Sequence, residues 1–341
     1  MTNAAQDECP APVGPPRALC IGPFRPETPV FLAPMAGYTD LPFRLEVRAL
    51  GGVGLAYTPL LNPFSLLRGG GKQRKALLAT TTSDAPLGYQ IYGTDPALLS
   101  EAAGWLESRG ALLIDLNMGC PQRKISARGA GAGLLKSPAE AVKLAGAVAA
   151  AVRVPVTVKL RLGWDRESLV AHSLVTALED VGVAAITVHG RTGGQGYTGT
   201  ADVAEMRKVV AAARRVPVIA NGDVVSVAAA RRLFAETGCA GIMVGRGILT
   251  RPWLIRDIAR DLRGAPPLPA PTPLEMVAFA CRHVAGAQAL YGPENGVLLY
   301  RKWIPLYLRP LLRDRPEMVR WLQLTQPAAL AEALESLALR L

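Results

Sequence analysis

The feature that most restricts how this chain can fold is a recurring order of short apolar segments, most of them separated by room for a helix. Eight segments read as buried strands: FLAPMA (31–36), GVGLAYTP (52–59), PLGYQIYG (86–93), LLIDLNMG (112–119), PVTVKLRLG (155–163), AAITVHGRT (184–192), PVIANGD (217–223) and AGIMVGRG (240–247). Each is mostly β-branched or aliphatic and runs out into glycine or polar residues, as strands covered on both faces do. Two of the intervening stretches carry clear helix signals. SPAEAVKLAGAVAAAV (137–152) opens on Ser137 as N-cap, with Pro138 in the first turn and Glu140 three residues after the cap. SVAAARRLFAETG (226–238) starts on a serine and stops at a glycine. RGGGKQRK (68–75) reads instead as a flexible basic loop. Eight β-then-α units in about 250 residues predict an α/β fold, a closed (β/α)8 TIM barrel over 25–263. A doubly wound open sheet is the alternative. It needs a G-x-G-x-x-G turn after its first strand, where this chain has PMAGYTD.

The segments flanking the barrel differ in kind. Residues 1–24 hold Asp7, Glu8 and several prolines but no apolar core before a cleavage site, so they read as a disordered extension rather than a signal peptide. GAPPLPAPTP (264–273) is too proline-rich for a helix or an inner strand and reads as a linker. From 274 to 341 the pattern is helical, predicting three or four helices with a break at Pro305 and Pro310. This tail interleaves Arg301, Lys302, Arg309, Arg313, Arg315 and Arg320 with Tyr300, Trp303, Tyr307 and Trp321. Basic residues among aromatics suit RNA, whose phosphates attract charge and whose exposed bases stack. The alternative places the aromatics in the core and the arginines on a solvated face.

Half of the 341 residues are hydrophobic and 19% are charged, which supports a packed core and excludes wholesale disorder. The formal charge of +11 favours a polyanionic partner, nucleic acid first and an anionic membrane second, against a merely basic surface. Lys143, Arg153 and Lys159 interrupt the most aliphatic stretch, so no membrane span is expected. The five cysteines are scattered and odd in number. None forms a C-x-x-C pair or sits at ligand spacing from a histidine, so neither a disulfide framework nor a metal site is expected. A reducing, cytoplasmic setting follows.

In a barrel, polar residues at the C-terminal ends of the strands line the active site. Here those ends supply Gln90, Asn117, Cys120, Lys159, Arg161, His189, Arg191, Asn221 and Arg246. Lys159 and Arg161 alternate with Leu160 and Leu162, so both point to one side of their strand, into the mouth. Charge within an apolar strand is costly without partners, which argues for function. Asn221-Gly222-Asp223 and Gly245-Arg246-Gly247 stand after the seventh and eighth segments, where barrels commonly bind phosphate. A cation at Lys159 suits a flavin's N1 and C2 carbonyl, and Gln90 its pyrimidine edge. Cys120 opens a loop carrying Arg123, Lys124 and Arg128 with no acid among them. On residue type alone it could be a nucleophile, an acid or filler.

APMAGYTD, GYQIYG, LNMGCP, VKLRLGW, VHGRTGGQGY, NGD and VGRG, in this order and spacing, resemble the tRNA-dihydrouridine synthases from about Phe31 to Gly247. The helical tail is similar, more loosely, to that family's RNA-recognition domain. LNMGCP, LGWD and RKW lean toward a C-like bacterial subgroup, with the B-like group as alternative. The resemblance implies FMN as cofactor, NADPH (NADH being possible) as reductant, and reduction of the C5–C6 double bond of selected uridines in tRNA, the D-loop favoured. It places FMN contacts on Pro34, Met35, Ala36, Gln90, Lys159, His189, Asn221, Gly222, Asp223, Gly245 and Arg246. It places base handling on Asn117, Cys120, Lys159, Arg161 and His189. Arg123, Lys124, Arg301 and Lys302 are expected to touch tRNA, and a monomer is expected. One departure is YTPLLNP after the second segment, where relatives usually carry an acid following the threonine.

The implied chemistry sends hydride to C6 of uracil and a proton to C5 from the opposite face. A thiol with an ordinary pKa of about 8.5 is mostly protonated at neutral pH and can be that acid. The neighbouring Arg123, Lys124 and Arg128 are expected to lower the pKa of Cys120 toward thiolate, which suits a nucleophile better. Two other functions compete. An FMN barrel acting on a free pyrimidine leaves the basic tail without a task, and a tRNA-binding protein without catalysis leaves Cys120, Lys159 and His189 unexplained.

Overall fold

In the computed structural model, which describes residues 19–341, each of the eight segments forms a strand. They are β1 Val30–Leu32, β2 Ala56–Tyr57, β3 Leu87–Ile91, β4 Leu113–Met118, β5 Val156–Arg161, β6 Ala185–His189, β7 Val218–Asn221 and β8 Gly241–Val244. All pairings are parallel, in the order β1-β8-β7-β6-β5-β4-β3-β2. The ring closes between β1 and the residues before β2, where Leu32 N–H donates to the Leu55 carbonyl and Gly54 N–H to that of Val30, each at 2.9 Å. The barrel reading therefore holds and the open sheet falls away.

Alternation along the strands sorts side chains into barrel interior and helix-facing shell. Leu113, Asp115 and Asn117 share the inward face of β4; Thr157, Lys159 and Arg161 share that of β5. The register sets Asp115 beside Thr157, Asn117 beside Lys159, and Arg161 beside His189. The lower interior is apolar, packed by Phe31, Leu55, Tyr57, Leu113, Ile219 and Met243. Gly88 makes room there: a Cβ on it would lie 2.7 Å from both Leu113 and Tyr57. Polarity rises toward the C-terminal mouth, so the sequence builds a floor first and a site above it.

Several local expectations are corrected. Residues 19–24 are not disordered. Ile21 and Phe24 exchange backbone hydrogen bonds, and Leu19 and Ile21 are buried against the barrel floor, where apolar side chains plug the open end. Residues 1–18, with the rest of the expected extension, lie outside the described residues. RGGGKQRK is not a loop. One helix, Pro63–Arg68, ends just before Gly69, and another, Gly71–Leu78, is carried by the helix-forming run KQRKALL. Ser137 does precede the helix Pro138–Ala151, but its side chain makes no capping bond. Ser226 behaves as expected, accepting from Ala229 N–H, and Gly238 ends that helix in the left-handed conformation.

The tail begins with the helix Pro273–Tyr291, started by a reciprocal Thr272–Glu275 capping box. Pro293–Tyr300 and Ile304–Tyr307 follow, separated by the 3-10 turn Arg301–Trp303; the break thus falls just before Pro305, which starts the second helix, and Pro310 lies beyond that helix's end. A further helix, Arg315–Gln323, precedes Pro327–Ala338. It brings the tail to five α-helices where three or four are expected, and Asp314 caps it by accepting from Glu317 N–H. The tail aromatics are not stacking surfaces for RNA. Tyr300, Trp303, Tyr307 and Trp321 are all buried. Trp303 stacks on Phe43 of the barrel helix Leu41–Leu50 with centroids 4.7 Å apart, so these rings join the tail to the barrel. Arg309, Arg313, Arg315 and Arg320 remain on the outside.

Candidate active site

A cleft of about 760 Å³ opens at the C-terminal end of the barrel. Each of the expected cofactor residues lines it: Pro34, Met35 and Ala36 after β1, Gln90 on β3, Lys159 and His189 on β5 and β6, Asn221, Gly222 and Asp223 at β7, and Gly245 with Arg246 after β8. Asn117, Cys120 and Arg161 line it too. Arg123, Lys124, Arg301 and Lys302 do not. Arg301 donates to the Leu322 carbonyl at 2.9 Å, and Lys302 reaches the Gly37 carbonyl and faces the Tyr38 ring. Both tail residues therefore brace internal structure.

Cys120 is held by an unbroken chain of oriented amides that starts at Asp115, a buried carboxylate the sequence reading passed over. Asp115 accepts from the Thr157 hydroxyl at 2.6 Å and from Gln90 Nε2 at 2.7 Å. Gln90 Oε1 must then face Asn117, whose Nδ2 donates to it at 2.9 Å. Asn117 Oδ1 is thereby turned to accept the N–H groups of Gly119 and Cys120, at 3.1 and 2.9 Å. A carboxylate only accepts, so it dictates the direction of every bond downstream. Asn117, expected to handle the base, spends its oxygen on the turn that presents Cys120. The clue in sequence was an asparagine two residues before a glycine, which favours such turns. Nothing in sequence distinguished Asp115 from other acids, since its partners stand 25 and 42 residues away.

The thiol of Cys120 sits above its ordinary pKa. Burial raises it, outweighing the Gln122 backbone N–H and the charges of Arg161 and Lys159. The expectation that Arg123, Lys124 and Arg128 favour thiolate is overturned. These three point to solvent around the short helix Arg123–Ser126, where water screens them from the sulfur. Cys120 therefore keeps its proton at neutral pH, as an acid must.

Four cations stand in or beside the cleft, two of them, Lys159 and Arg161, near the thiol. Lys159 Nζ donates to Asn221 Oδ1 at 2.9 Å, and Asn221 Nδ2 to the Met243 carbonyl at 2.7 Å. Burial and the nearby Arg161 lower its pKa to about 8, with Asp115 opposing them. Arg161 also departs from expectation. Its guanidinium holds the carbonyls of Gly119, Thr192 and Gly196 at 2.6–2.7 Å, bracketing the loops after β4 and β6. Burial lowers its pKa to about 10, so it stays charged. Arg191 pairs with Asp223 at 2.8 Å and lies 3.3 Å from His189 Nε2. Arginine can only donate, so that nitrogen accepts and the His189 proton sits on Nδ1. Burial, then Lys159 and the arginines, hold this histidine neutral far below its usual range. Asp223, expected to touch cofactor, is already engaged by Arg191 and by Ala201 N–H at 2.7 Å, and orients them. Arg246, its side chain about half exposed at 51%, lies over the ring of Tyr197, a cleft residue the sequence reading missed.

The site thus joins one protonated thiol to a cationic, glycine-lined recess. Among the described residues no group of three His, Cys, Asp or Glu side chains is placed to hold a metal. None of the described helices is long and apolar enough to cross a membrane.

Residues 31–335 match the family model described as dihydrouridine synthase. A protein from Rhodobacter capsulatus named probable tRNA-dihydrouridine synthase is 40% identical over 307 residues, covering 90% of this chain and 93% of its own. One from Pseudomonas aeruginosa named tRNA-dihydrouridine synthase B is 39% identical over 291 residues, covering 85% and 87%. Among solved structures, histamine dehydrogenase from Rhizobium superposes with a TM-score of 0.55 at 12% identity, over 78% of this chain and 50% of that one. Morphinone reductase does so with a TM-score of 0.54 at 13% identity, over 77% and 94%. At these identities the two likenesses show the fold alone. The motifs at the strand ends, the cleft they form and the match along nine-tenths of the sequence agree: this chain belongs to the dihydrouridine synthase family.

Proposed function

We propose that this protein is a tRNA-dihydrouridine synthase, an FMN-dependent oxidoreductase that reduces the C5–C6 double bond of specific uridines, working in the cytoplasm as a monomer with NADPH as reductant. The observation that carries the reading is the placement of a protonated Cys120 thiol at a cleft that also holds Lys159, His189 and two glycine loops. The recess fits FMN. Arg246 and the backbone of Gly222 and Gly245 suit its phosphate, and Lys159 and Gln90 suit its ring. The chemistry such a cofactor supplies is transfer of hydride, taken from NADPH, to C6 of the uracil.

The chain's own residues complete the reduction. Negative charge that develops on C5 and the C4 carbonyl is met by the Lys159 ammonium and by His189 Nδ1–H. Cys120 gives its proton to C5, and its raised pKa keeps that proton in place until the base arrives. Asn117 and Arg161 act one step back, holding the turn and the loops that aim the thiol. The exposed arginines of the tail, with Arg123 and Lys124 beside the mouth, suit tRNA phosphates. Among the relatives reported, the name synthase B supports the B-like alternative over the C-like subgroup.

Purified protein tests this directly. It should be yellow, with absorbance near ~450 nm as oxidised flavins show. NADPH should bleach it, and tRNA lacking dihydrouridine should restore the colour far faster than free uridine does. A colourless protein, or equal rates with tRNA and uridine, would contradict the reading.

A further inference from the structure

Next to the large cleft lies a smaller one of about 210 Å³. The same two loops wall both. The segment after β2 gives Leu60 to the large cleft and Phe64 to the small one; the segment after β4 gives Gln122 to the large and Lys124 and Arg128 to the small. Both walls are fixed. Asn62 accepts from Ser65 N–H at 3.0 Å to cap the helix that carries Phe64, and its Nδ2 donates to the Tyr92 hydroxyl at 3.2 Å. On the other side Ala132 N–H donates to the Cys120 carbonyl at 3.0 Å. Gly131 permits that closure, being at φ +58° with its missing Cβ position 2.7 Å from the same carbonyl. Cys120 and the two cations thus belong to one folded loop.

Two features of the small cleft have no use within the chain. Phe64 leaves 62% of its surface exposed although it stands at a fixed position. Lys124 and Arg128 are exposed and form no ion pair among the described residues. Asp95 also lines the cleft, and one of its oxygens holds the N–H groups of Ala97 and Leu98 at 2.9 and 3.3 Å, capping a helix. An uncovered ring beside two unpaired cations matches a nucleotide, with a flat base and a phosphate. Its place beside the Cys120 cleft, on walls the two share, suits a nucleotide next to the reacting base.

We propose that this second cleft binds the nucleotide adjacent to the target uridine, its base stacked on Phe64 and its phosphate between Lys124 and Arg128. The inference rests on the tRNA reading above. It also supplies a physical need of that reading. Turning the uridine into the barrel breaks its stacking with its neighbour, and Phe64 offers that neighbour a replacement surface.

The test uses holoenzyme and tRNA from a strain lacking the gene, reading KM for tRNA, kcat, flavin content and salt dependence. Phe64→Ala should raise KM about 5- to 150-fold, the range that loss of one base–aromatic stack gives, with kcat and flavin content unchanged. Phe64→Trp should keep KM near that of the wild type, whereas Phe64→Leu should be as weak as Phe64→Ala. Lys124→Ala combined with Arg128→Ala should flatten the log–log salt slope by about 0.7, one single-strand phosphate. An unchanged KM in Phe64→Ala, or full recovery with leucine, would overturn the stack. An unchanged slope would overturn the phosphate contact. If the wild-type protein itself formed no dihydrouridine in any tRNA, the tRNA reading would fall and this inference with it.

Discussion

Replacing Asp115 by asparagine should make the protein more stable and less active at once. Burial pushes this carboxyl from 3.8 up to about 6, even though Gln90 and Thr157 donate to it and Lys159 lies near. About two units at roughly 1.4 kcal/mol each put the cost of holding the charge at neutral pH near ~3 kcal/mol. The sign follows from the direction. A carboxyl raised on folding gives its full stability below its unfolded pKa, and loses it as pH rises through about 6. Asparagine never ionises. Its oxygen can accept from Gln90 Nε2 and its NH2 can donate to the Thr157 hydroxyl, so no buried polar atom is stranded. Asp115→Asn should therefore match the wild type near about pH 4 and exceed it by up to ~3 kcal/mol near pH 7.5. Catalysis loses by the same change. Asp115 is the carboxylate that holds the Lys159 pKa up against burial and Arg161, at about 8. Without it that pKa falls, the ammonium is lost sooner, and the alkaline limb of the rate profile moves to lower pH. Denaturant melts at both pH values, with single-turnover dihydrouridine formation across pH, measure both effects. A less stable variant at pH 7.5 with an unmoved alkaline limb would refute this role for the carboxylate.

Three further outcomes are expected. Gly88→Ala should lose about 1–3 kcal/mol in denaturant melts, because the added Cβ meets Tyr57 and Leu113 inside a closed barrel. Arg161→Lys should lower the rate of dihydrouridine formation with little change in KM for tRNA, since one ammonium cannot hold three carbonyls on two loops. His283, buried among Phe43, Phe279, Tyr300, Trp303 and Tyr307, has its pKa lowered to about 3 by burial and then by Lys302. Its stabilising contribution is complete above about pH 6.5 and is lost as pH falls toward 3, so His283→Phe should flatten the acid slope of stability by ~3 kcal/mol between pH 6.5 and 4.

The barrel was legible because its strands are buried on both faces, which writes them as apolar runs ending in polar mouths. Residues that line the cleft from the strand ends, such as Cys120, Lys159 and Asn221, could be found there. What stayed hidden depends on distant partners. Asp115 is one acid among several until Gln90 and Thr157 are brought to it, and Arg161 reads as a substrate contact until three backbone carbonyls close around it. The tail misled for a similar reason. Trp303 and Tyr307 alternate with cations along the chain, yet their rings turn inward onto Phe43 and His283 of other helices. Tyr197 sits on a connecting segment with no periodicity, and Phe64 on a helix of only 6 residues, too short for a pattern to betray which way it faces. For Cys120, neighbours in sequence gave the wrong sign of the pKa shift, because burial outweighs charges that point to water.

The most direct test is the dihydrouridine content of tRNA from a strain lacking this gene, complemented either with the wild-type chain or with Cys120→Ala. The wild-type chain should restore dihydrouridine at defined positions. Cys120→Ala should fall short by about 10²-fold or more in rate, the contribution of a general acid, while the purified variant still binds flavin and oxidises NADPH. Full restoration by Cys120→Ala would contradict proton delivery from this thiol, and no restoration by the wild-type chain would contradict the synthase itself.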